Sequence, residues 1–142
     1  MKRFLLDSNA VNEMLSKREP FSRPLAEARR IGARIGTSEP VVAELLYGIE
    51  LSHSRDENMI RLGRTLHLLY CWPLDRAASH AFGKIAAELR RIGRPMQTID
   101  MMLAAISMSL VDCTVVTCDS DLFAVPGLSV VNWQNEPGPV KD

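Results

Sequence analysis

Five acidic residues of this chain stand where a carboxylate could take part in chemistry. They are Asp7, Glu44, Asp100, Asp119 and Asp121. Carboxylates that lie a few ångströms apart raise one another's pKa, so several of them in one cleft would need a cation beside them. Ligand sets made only of oxygen favour Mg²⁺ or Mn²⁺ over zinc. If these acids converge, the sequence predicts a site for a divalent metal ion.

Other site chemistries lack sequence support. His53, His67 and His80 show none of the spacings that zinc sites use, and Cys113 and Cys118 do not form a CxxC pair. The chain contains neither a glycine-rich phosphate-binding motif nor a GxSxG nucleophile motif. A zinc site, a nucleotide cradle and a serine nucleophile are therefore disfavoured.

Each of the five acids also has a purely structural explanation. Asp7 would cap a helix, and Asp100 would complement the dipole of the helix whose first turn holds it. Asp119 and Asp121 would be turn residues, and Glu44 would belong to a solvated helix face. Taken singly, these explanations are favoured. The joint pattern favours a site, because two acids follow strands and two lie on helices that are otherwise apolar there.

Short apolar runs that alternate with helical patterns would position these acids. The predicted strands are 4–6, 35–38, 69–72, 114–117 and 128–131. The predicted helices are 25–31, 40–51, 56–69, 75–92 and 99–111, with a further helix starting after the polar residues 7–9. This alternation predicts an α/β fold with a mostly parallel central sheet of four to five strands. Ligands of such sheets bind beyond the carboxyl ends of the strands, where Asp7 and Asp119 fall.

Single residues refine the predicted helices. Thr98 is expected to cap helix 99–111, and Gly93 is expected to end the helix before it. Gly48 lies one turn after Glu44 and leaves open space on that helix, so Glu44 is predicted to face a cleft.

Composition bounds the class of protein. A chain of 142 residues that is 46% hydrophobic and 24% charged predicts one globular domain. A net charge of zero argues against a strongly basic nucleic-acid coat. Arginine makes bidentate contacts with phosphate, and its clusters are candidates for drawing in a nucleic acid. These clusters are Arg29-Arg30, Arg61 with Arg64, and Arg90-Arg91 with Arg94.

Cysteine usage and hydropathy bear on the compartment. The three cysteines, at positions 71, 113 and 118, are expected to be buried and reduced. The start of the chain does not have a signal-peptide pattern, and the longest apolar run is shorter than the roughly 20 residues that span a bilayer. A cytoplasmic protein without a membrane segment is predicted.

Five motifs follow one another at residues 5–9, 44–48, 93–105, 116–121 and 125–133. They read LLDSN, ELLYG, GRP followed by DMMLAA, VTCDSD, and VPGL followed by NW. In this order they resemble the PIN-domain ribonucleases, and in particular the VapC-type toxins of bacterial type II toxin–antitoxin pairs. The resemblance covers residues 3–133. It implies a single PIN domain over residues 1–142, built as a three-layer sandwich, with 134–142 as a C-terminal tail.

The resemblance also implies an activity. It implies Mg²⁺- or Mn²⁺-dependent endonucleolytic cleavage of RNA, with the family's acidic quartet on Asp7, Glu44, Asp100 and Asp119. Asp121 matches a frequent fifth acid, and Thr117 matches a hydroxyl residue before the last acidic motif. The implied partners are a VapB-type antitoxin, a second copy of the chain in a homodimer, and operator DNA reached only through the antitoxin.

The sequence departs from the family pattern away from the carboxylates. Ser8 stands where Thr is usual, and Met96-Gln97 replaces a common Ile-Gly pair. Cys118 occupies a position that is often polar, and Asp112-Cys113 stands where a glycine usually precedes the fourth strand. These differences put the shape of local loops in doubt more than the activity.

Two other functions stay open at this point. The same fold could be a binding module that acts with its antitoxin as a nucleic-acid-binding repressor complex with little intrinsic cleavage. A Mg²⁺ phosphatase of the haloacid-dehalogenase type also has an Asp after its first strand, but it needs an Asp-x-Asp motif and position 9 is Asn. An RNA cleavage assay with and without EDTA separates these possibilities.

Overall fold

A computed structural model describes residues 1–134 of the chain, so the predicted tail lies almost wholly outside the described residues. Strands β1 to β5 are Arg3–Leu6, Arg34–Ser38, Tyr70–Trp72, Cys113–Val116 and Val130–Val131. Helices α1 to α7 are Ser8–Ser16, Ser22–Arg30, Glu39–Glu50, Arg55–Leu66, Arg76–Arg91, Thr98–Ser109 and Ser120–Phe123.

The five strands form one sheet in the order β3-β2-β1-β4-β5, and every pairing is parallel. The chain starts in the centre with β1, extends to β2 and β3 on one side, and returns to β4 and β5 on the other. The change of direction falls between β1 and β4, which is where ligands bind at the carboxyl edge of such sheets. Asp7 and Asp119 follow these two strands. The prediction of an α/β fold with a mostly parallel sheet is confirmed.

Helices cover both faces of the sheet. Leu5 and Val115 belong to a core cluster with α3, α5 and α6, whereas Leu6 and Val116 belong to a second cluster with α1 and α2. Neighbouring residues of a strand point to opposite faces, so consecutive apolar residues are what a sheet buried on both faces requires. This arrangement confirms the predicted three-layer sandwich.

Several predicted boundaries are wrong by a few residues. Thr98 does not cap α6, because Gln97 holds the extended N-cap position and Thr98 is already helical. The helix predicted at 25–31 begins at Ser22, since Pro24 is tolerated in the first turn. The last strand contains only Val130–Val131, the two residues that pair with β4. Gly93, at φ 70°, follows the end of α5 as predicted.

The predictions from cysteine usage and hydropathy have mixed outcomes. The three cysteines are free, but none of them is fully buried, so the prediction of burial is wrong. Cys71 and Cys113 are partly buried, and Cys118 is exposed because it lies in the turn after β4. Within residues 1–134, none of the helices has both the length and the apolar character needed to cross a membrane.

Candidate active site

Asp7 is the most buried acid of the predicted site, with 5% of its surface exposed. Its Oδ1 accepts a hydrogen bond from the backbone N–H of Ala10 at 2.8 Å, and its Oδ2 accepts one from the Thr117 hydroxyl. Burial raises the pKa of Asp7 above its usual range, and these two hydrogen bonds partly oppose the rise. Asp7 therefore caps α1, as its structural explanation predicts. The same carboxylate also lies at the carboxyl edge of the sheet, where the site is predicted.

Thr117 links the two acids that follow the central strands. Its hydroxyl donates to Asp7 and accepts a hydrogen bond from the backbone N–H of Asp119 at 2.9 Å. Asp119 in turn accepts a hydrogen bond from the backbone N–H of Asp121 at 2.9 Å, which caps α7. Because Thr117 is buried and fully bonded, it fixes the position of Asp7 relative to the Asp119 backbone.

Asp100 lies in the first turn of α6 and is partly buried. Burial is the main cause that raises the pKa of Asp100 to about 6. Four negative charges raise it further, and they come from Asp119, Asp7, Glu44 and Asp121. The five acids thus lie near enough to act on one another. A carboxylate in such surroundings favours either a proton or a cation.

Glu44 is exposed on α3 and lines a cleft of about 500 Å³ between α1, α3 and α4. Gly48 lines the same cleft, and a Cβ added to it would meet nothing within 4 Å. The prediction that Glu44 faces a cleft beside Gly48 is confirmed.

The donor set of this site suits a hard divalent cation, although its side chains are not gathered around one point. Among residues 1–134, no three His, Cys, Asp or Glu side chains form a group that could hold a metal ion as they stand. Burial is the main cause of the raised pKa values of Asp7 and Asp100, and the charges of neighbouring acids add to it. Five carboxylates with little compensating charge match the ligand preference of Mg²⁺ or Mn²⁺. Joint ligation by three of them requires side-chain rotation.

Asp121 differs from the other four acids because it has a basic partner. The Arg94 Nη2 lies 3.3 Å from the Asp121 Oδ1, and both side chains are partly exposed. Arg94 was a candidate for drawing in nucleic acid, and the structure places it on an acid of the site. A metal ion that used Asp121 would compete with Arg94 for it.

Sequence reasoning did not single out Asn12, which lines the cleft of Glu44 together with Ser8. These two residues are four apart on α1 and therefore share a helix face. That spacing was the available signal, because a polar pair on one face of a short helix can mark the wall of a cleft.

Known proteins resemble this chain over most of its length. The tRNA(fMet)-specific endonuclease VapC of Shigella flexneri is 28% identical in an alignment of 138 positions, and the alignment covers 94% of this chain and 99% of that protein. The plasmid stability protein StbB of Pseudomonas syringae pv. tomato is 30% identical in an alignment of 139 positions, which covers 92% of this chain and 98% of that protein.

The solved structures include a similar protein in a complex. The crystal structure of DNA-bound VapBC from Salmonella typhimurium matches with a TM-score of 0.84 at 27% identity, over 94% of this chain and 99% of that one. The model of the PIN domain family matches residues 4–128. This match spans most of the chain and includes the strands and helices that carry the five acids. The chain therefore belongs to the PIN-domain family, within which it resembles the VapC-type toxins.

Proposed function

We propose that this chain is a Mg²⁺- or Mn²⁺-dependent endoribonuclease and the toxin of a VapBC-type pair. The observation that carries the proposal is the placement of Asp7 and Asp119 directly after the neighbouring strands β1 and β4, at the switch point of the sheet. Asp100 lies near enough for their charges, with those of Glu44 and Asp121, to add to the effect of burial on its pKa. A pure binding module does not need this arrangement, because it disfavours the charged forms of Asp7 and Asp100. RNA is the proposed substrate class because the similar Shigella flexneri protein is named a tRNA-specific endonuclease.

The proposal gives each acid a role. Asp7, Asp100 and Asp119 would hold the metal, and Glu44 would complete the ligand set or orient the attacking water. When bound, the ion lowers the pKa of a coordinated water and stabilises the charge on the leaving oxygen. Thr117 keeps Asp7 and Asp119 in register through its two hydrogen bonds. Asp121 would act as a fifth ligand only after its release from Arg94, which already pairs with it.

The proposed assembly follows the similar complex from Salmonella typhimurium, which was solved as DNA-bound VapBC. For this chain we infer a VapB-type antitoxin, a homodimer, and contact with operator DNA only through the antitoxin. An Arg or Lys of the antitoxin would pair with the carboxylates and thereby block both metal and RNA. A cytoplasmic location is part of the same proposal, because RNA and the antitoxin are found there.

The test is cleavage of RNA by the purified full chain with added Mn²⁺, with added Mg²⁺ and with EDTA. We expect cleavage with either metal, none in EDTA, and nearly none for the variants Asp7→Asn and Asp100→Asn. The matched control is Asp112→Asn, which also removes one acid but lies at the start of β4 and pairs with Lys2. RNA that stays intact at every metal concentration, while the chain binds nucleic acid together with its antitoxin, would favour the repressor module instead.

A further inference from the structure

A second groove lies next to the cleft of Glu44 and carries mostly positive charge. It is formed between α1, α2 and α4, with a volume of about 540 Å³. Four basic side chains line it, and these are Lys17, Arg29, Arg61 and Arg64. Glu13 is the acid that lines it with them. This groove is called the basic groove below.

The basic groove is continuous with the cleft of Glu44. Leu15 on α1 and Arg61 on α4 line both of them. Arg61 is exposed, so its guanidinium can be reached from either side. The surface thus offers one path that runs from Glu44 past Arg61 into the basic groove.

Ion pairs divide the arginines of the candidate clusters into two groups. Arg30 bonds to Glu27, Arg91 lies 3.7 Å from Glu88, and Arg94 pairs with Asp121. In the part of the chain that the structure describes, none of the four basic residues of the groove lies within 4 Å of an acidic side chain. Arg90 is also without such a partner among residues 1–134, but it lies at a separate, mostly apolar pocket on α5. Among the candidate clusters, the arginines without an ion-pair partner in the described part of the chain are therefore mainly those of the basic groove, which are Arg29, Arg61 and Arg64.

We infer that the basic groove binds the phosphate backbone of single-stranded RNA beside the bond that is cut. The inference rests on the proposed nuclease function. An acidic site repels RNA, so the affinity must come from cations placed elsewhere on the path of the strand. Arginine suits this role because its planar guanidinium contacts phosphate with two hydrogen bonds. Positively charged grooves that follow the backbone are typical of proteins that bind single strands, so single-stranded RNA is the proposed occupant.

The apolar lining of the groove is compatible with the same occupant. Phe21 and Leu25 line the groove but are almost fully buried, whereas Leu68 is exposed there. Leu68 can therefore contact a sugar or a base while the cations hold the phosphates. A strand that enters the groove would pass Arg61 before it reaches the acids.

The test compares two triple variants of the full chain that lose the same number of charges. The groove variant combines Arg29→Gln, Arg61→Gln and Arg64→Gln. The control variant combines Arg30→Gln, Arg55→Gln and Arg91→Gln, all of which pair with acids close by in sequence. Both are made in the Asp100→Asn background, so that a fluorescent single-stranded RNA dodecamer can be titrated by anisotropy without being cut. Thermal melts verify that both fold.

We expect the groove variant to bind the RNA more weakly and with a smaller salt dependence. Each lost phosphate contact lowers the slope of log K against log salt by about 0.7 for a single strand, so three contacts lower it by about 2. The control variant is expected to keep the slope of the parent. An equal loss in both variants would show a general charge effect and overturn the inference.

Cleavage by the same triple variants with Asp100 restored separates binding from chemistry. We expect a higher KM and an unchanged kcat for the dodecamer, and little change for a trinucleotide that is too short to occupy both the cleft and the groove. If the parent chain does not cut RNA, the proposed function fails, while the anisotropy titration still decides whether the groove binds RNA. If the groove variant keeps its RNA affinity but no longer binds the antitoxin, the groove is a protein interface and the inference is overturned.

Discussion

Burial and four neighbouring acids hold the pKa of the Asp100 carboxyl at about 6. The folded state therefore binds this proton more tightly than the unfolded state, in which the pKa is 3.8. The stability that this group contributes is complete below that value and is lost as the pH rises through about 6. Without metal at pH 7, the wild-type chain is thus less stable than it would be with a neutral group at this position.

We expect Asp100→Asn to raise the melting temperature in EDTA at pH 7, because it removes one of the crowded charges. The gain is about 1 kcal/mol once solvent screening of this partly exposed group is allowed for, and it shrinks as the pH falls towards 4. Mn²⁺ reverses the order, since only the wild-type chain keeps the full ligand set. Melts at several pH values, with Asp112→Asn as the control, verify this. A lower melting temperature of Asp100→Asn in EDTA would indicate that Asp100 serves only the dipole of α6.

Thr117 is expected to matter through its hydroxyl group alone. Thr117→Val leaves one oxygen of the buried Asp7 and the backbone N–H of Asp119 without these partners. We expect a loss of about 1–3 kcal/mol in unfolding free energy, and a higher Mn²⁺ concentration for half-maximal cleavage. Thr117→Ser keeps the hydroxyl and is expected to restore both values. Urea unfolding and metal titrations measure them. A loss in Thr117→Ser without a loss in Thr117→Val would show that the methyl group matters through packing and would contradict the prediction.

Single residues also show how far the sequence leads. The pattern of strand ends and apolar helices singles out Asp7, Asp100 and Asp119, and Gly48 indicates that Glu44 faces a cleft. The pairing of Asp121 with Arg94 is not readable in the sequence, because it depends on how the turn at Gly93 places Arg94 against α7. The position of Lys17 in the basic groove is not readable in the sequence either. Lys17 ends α1 in a left-handed backbone conformation, which the residue type alone does not predict.

Among the elements, the short edge strand β3 depends on the absence of a side chain at Gly36. A Cβ at this position would lie 2.3 Å from the carbonyl oxygen of Tyr70 and 2.7 Å from the ring of Trp72. We expect Gly36→Ala to force β3 away from β2 and to lower the unfolding free energy by about 1–3 kcal/mol.

Gly83→Ala in α5 is the matched control, since a Cβ there would meet nothing within 4 Å. This substitution is expected to stabilise the chain by up to about 1 kcal/mol, because alanine favours a helix more than glycine does. Urea unfolding of both variants provides the comparison. If Gly36→Ala left the free energy of unfolding unchanged, β3 would be able to move away from β2 without a loss of stability, which would contradict the prediction.

The existence of the elements could be predicted better than their ends. Strand β1 is readable because consecutive apolar residues suit a sheet that is buried on both faces. The start of β5 is not readable, because the length of this strand is set by how many residues find partners on β4. The start of α6 is not readable either. Gln97 holds the extended N-cap position but makes no capping hydrogen bond with its side chain, so its residue type does not mark the start of the helix.

For the whole molecule, the alternation of strands and helices predicts a parallel sheet but not the order of its strands. That order decides that β1 and β4 are neighbours, and hence that Asp7 and Asp119 share one edge. The basic groove cannot be predicted from the sequence either, because Arg29 and Arg61 lie on helices that are distant in sequence. The relative packing of α1, α2 and α4 brings them together, and local sequence patterns do not encode such packing.

The layout of charge over the molecule leads to a prediction about the proposed antitoxin. The acidic edge is crowded with carboxylates, and a metal ion and a cationic side chain of the partner would neutralise the same charges. The two ligands therefore compete. We expect Mn²⁺ to raise the melting temperature of the free chain, and to raise it much less in the complex with the proposed antitoxin.

The control for this competition is Asp112→Asn, whose acid lies away from the site and pairs with Lys2. This variant is expected to show the wild-type Mn²⁺ shift when free and the same reduction in the complex, because it leaves all five acids in place. Asp100→Asn is expected to show a small shift in both states. If the complex kept the full Mn²⁺ shift of the free chain, the antitoxin would have to inhibit from outside the carboxylates. The favoured explanation would then be that the antitoxin covers the basic groove, and so excludes RNA without contacting the metal site.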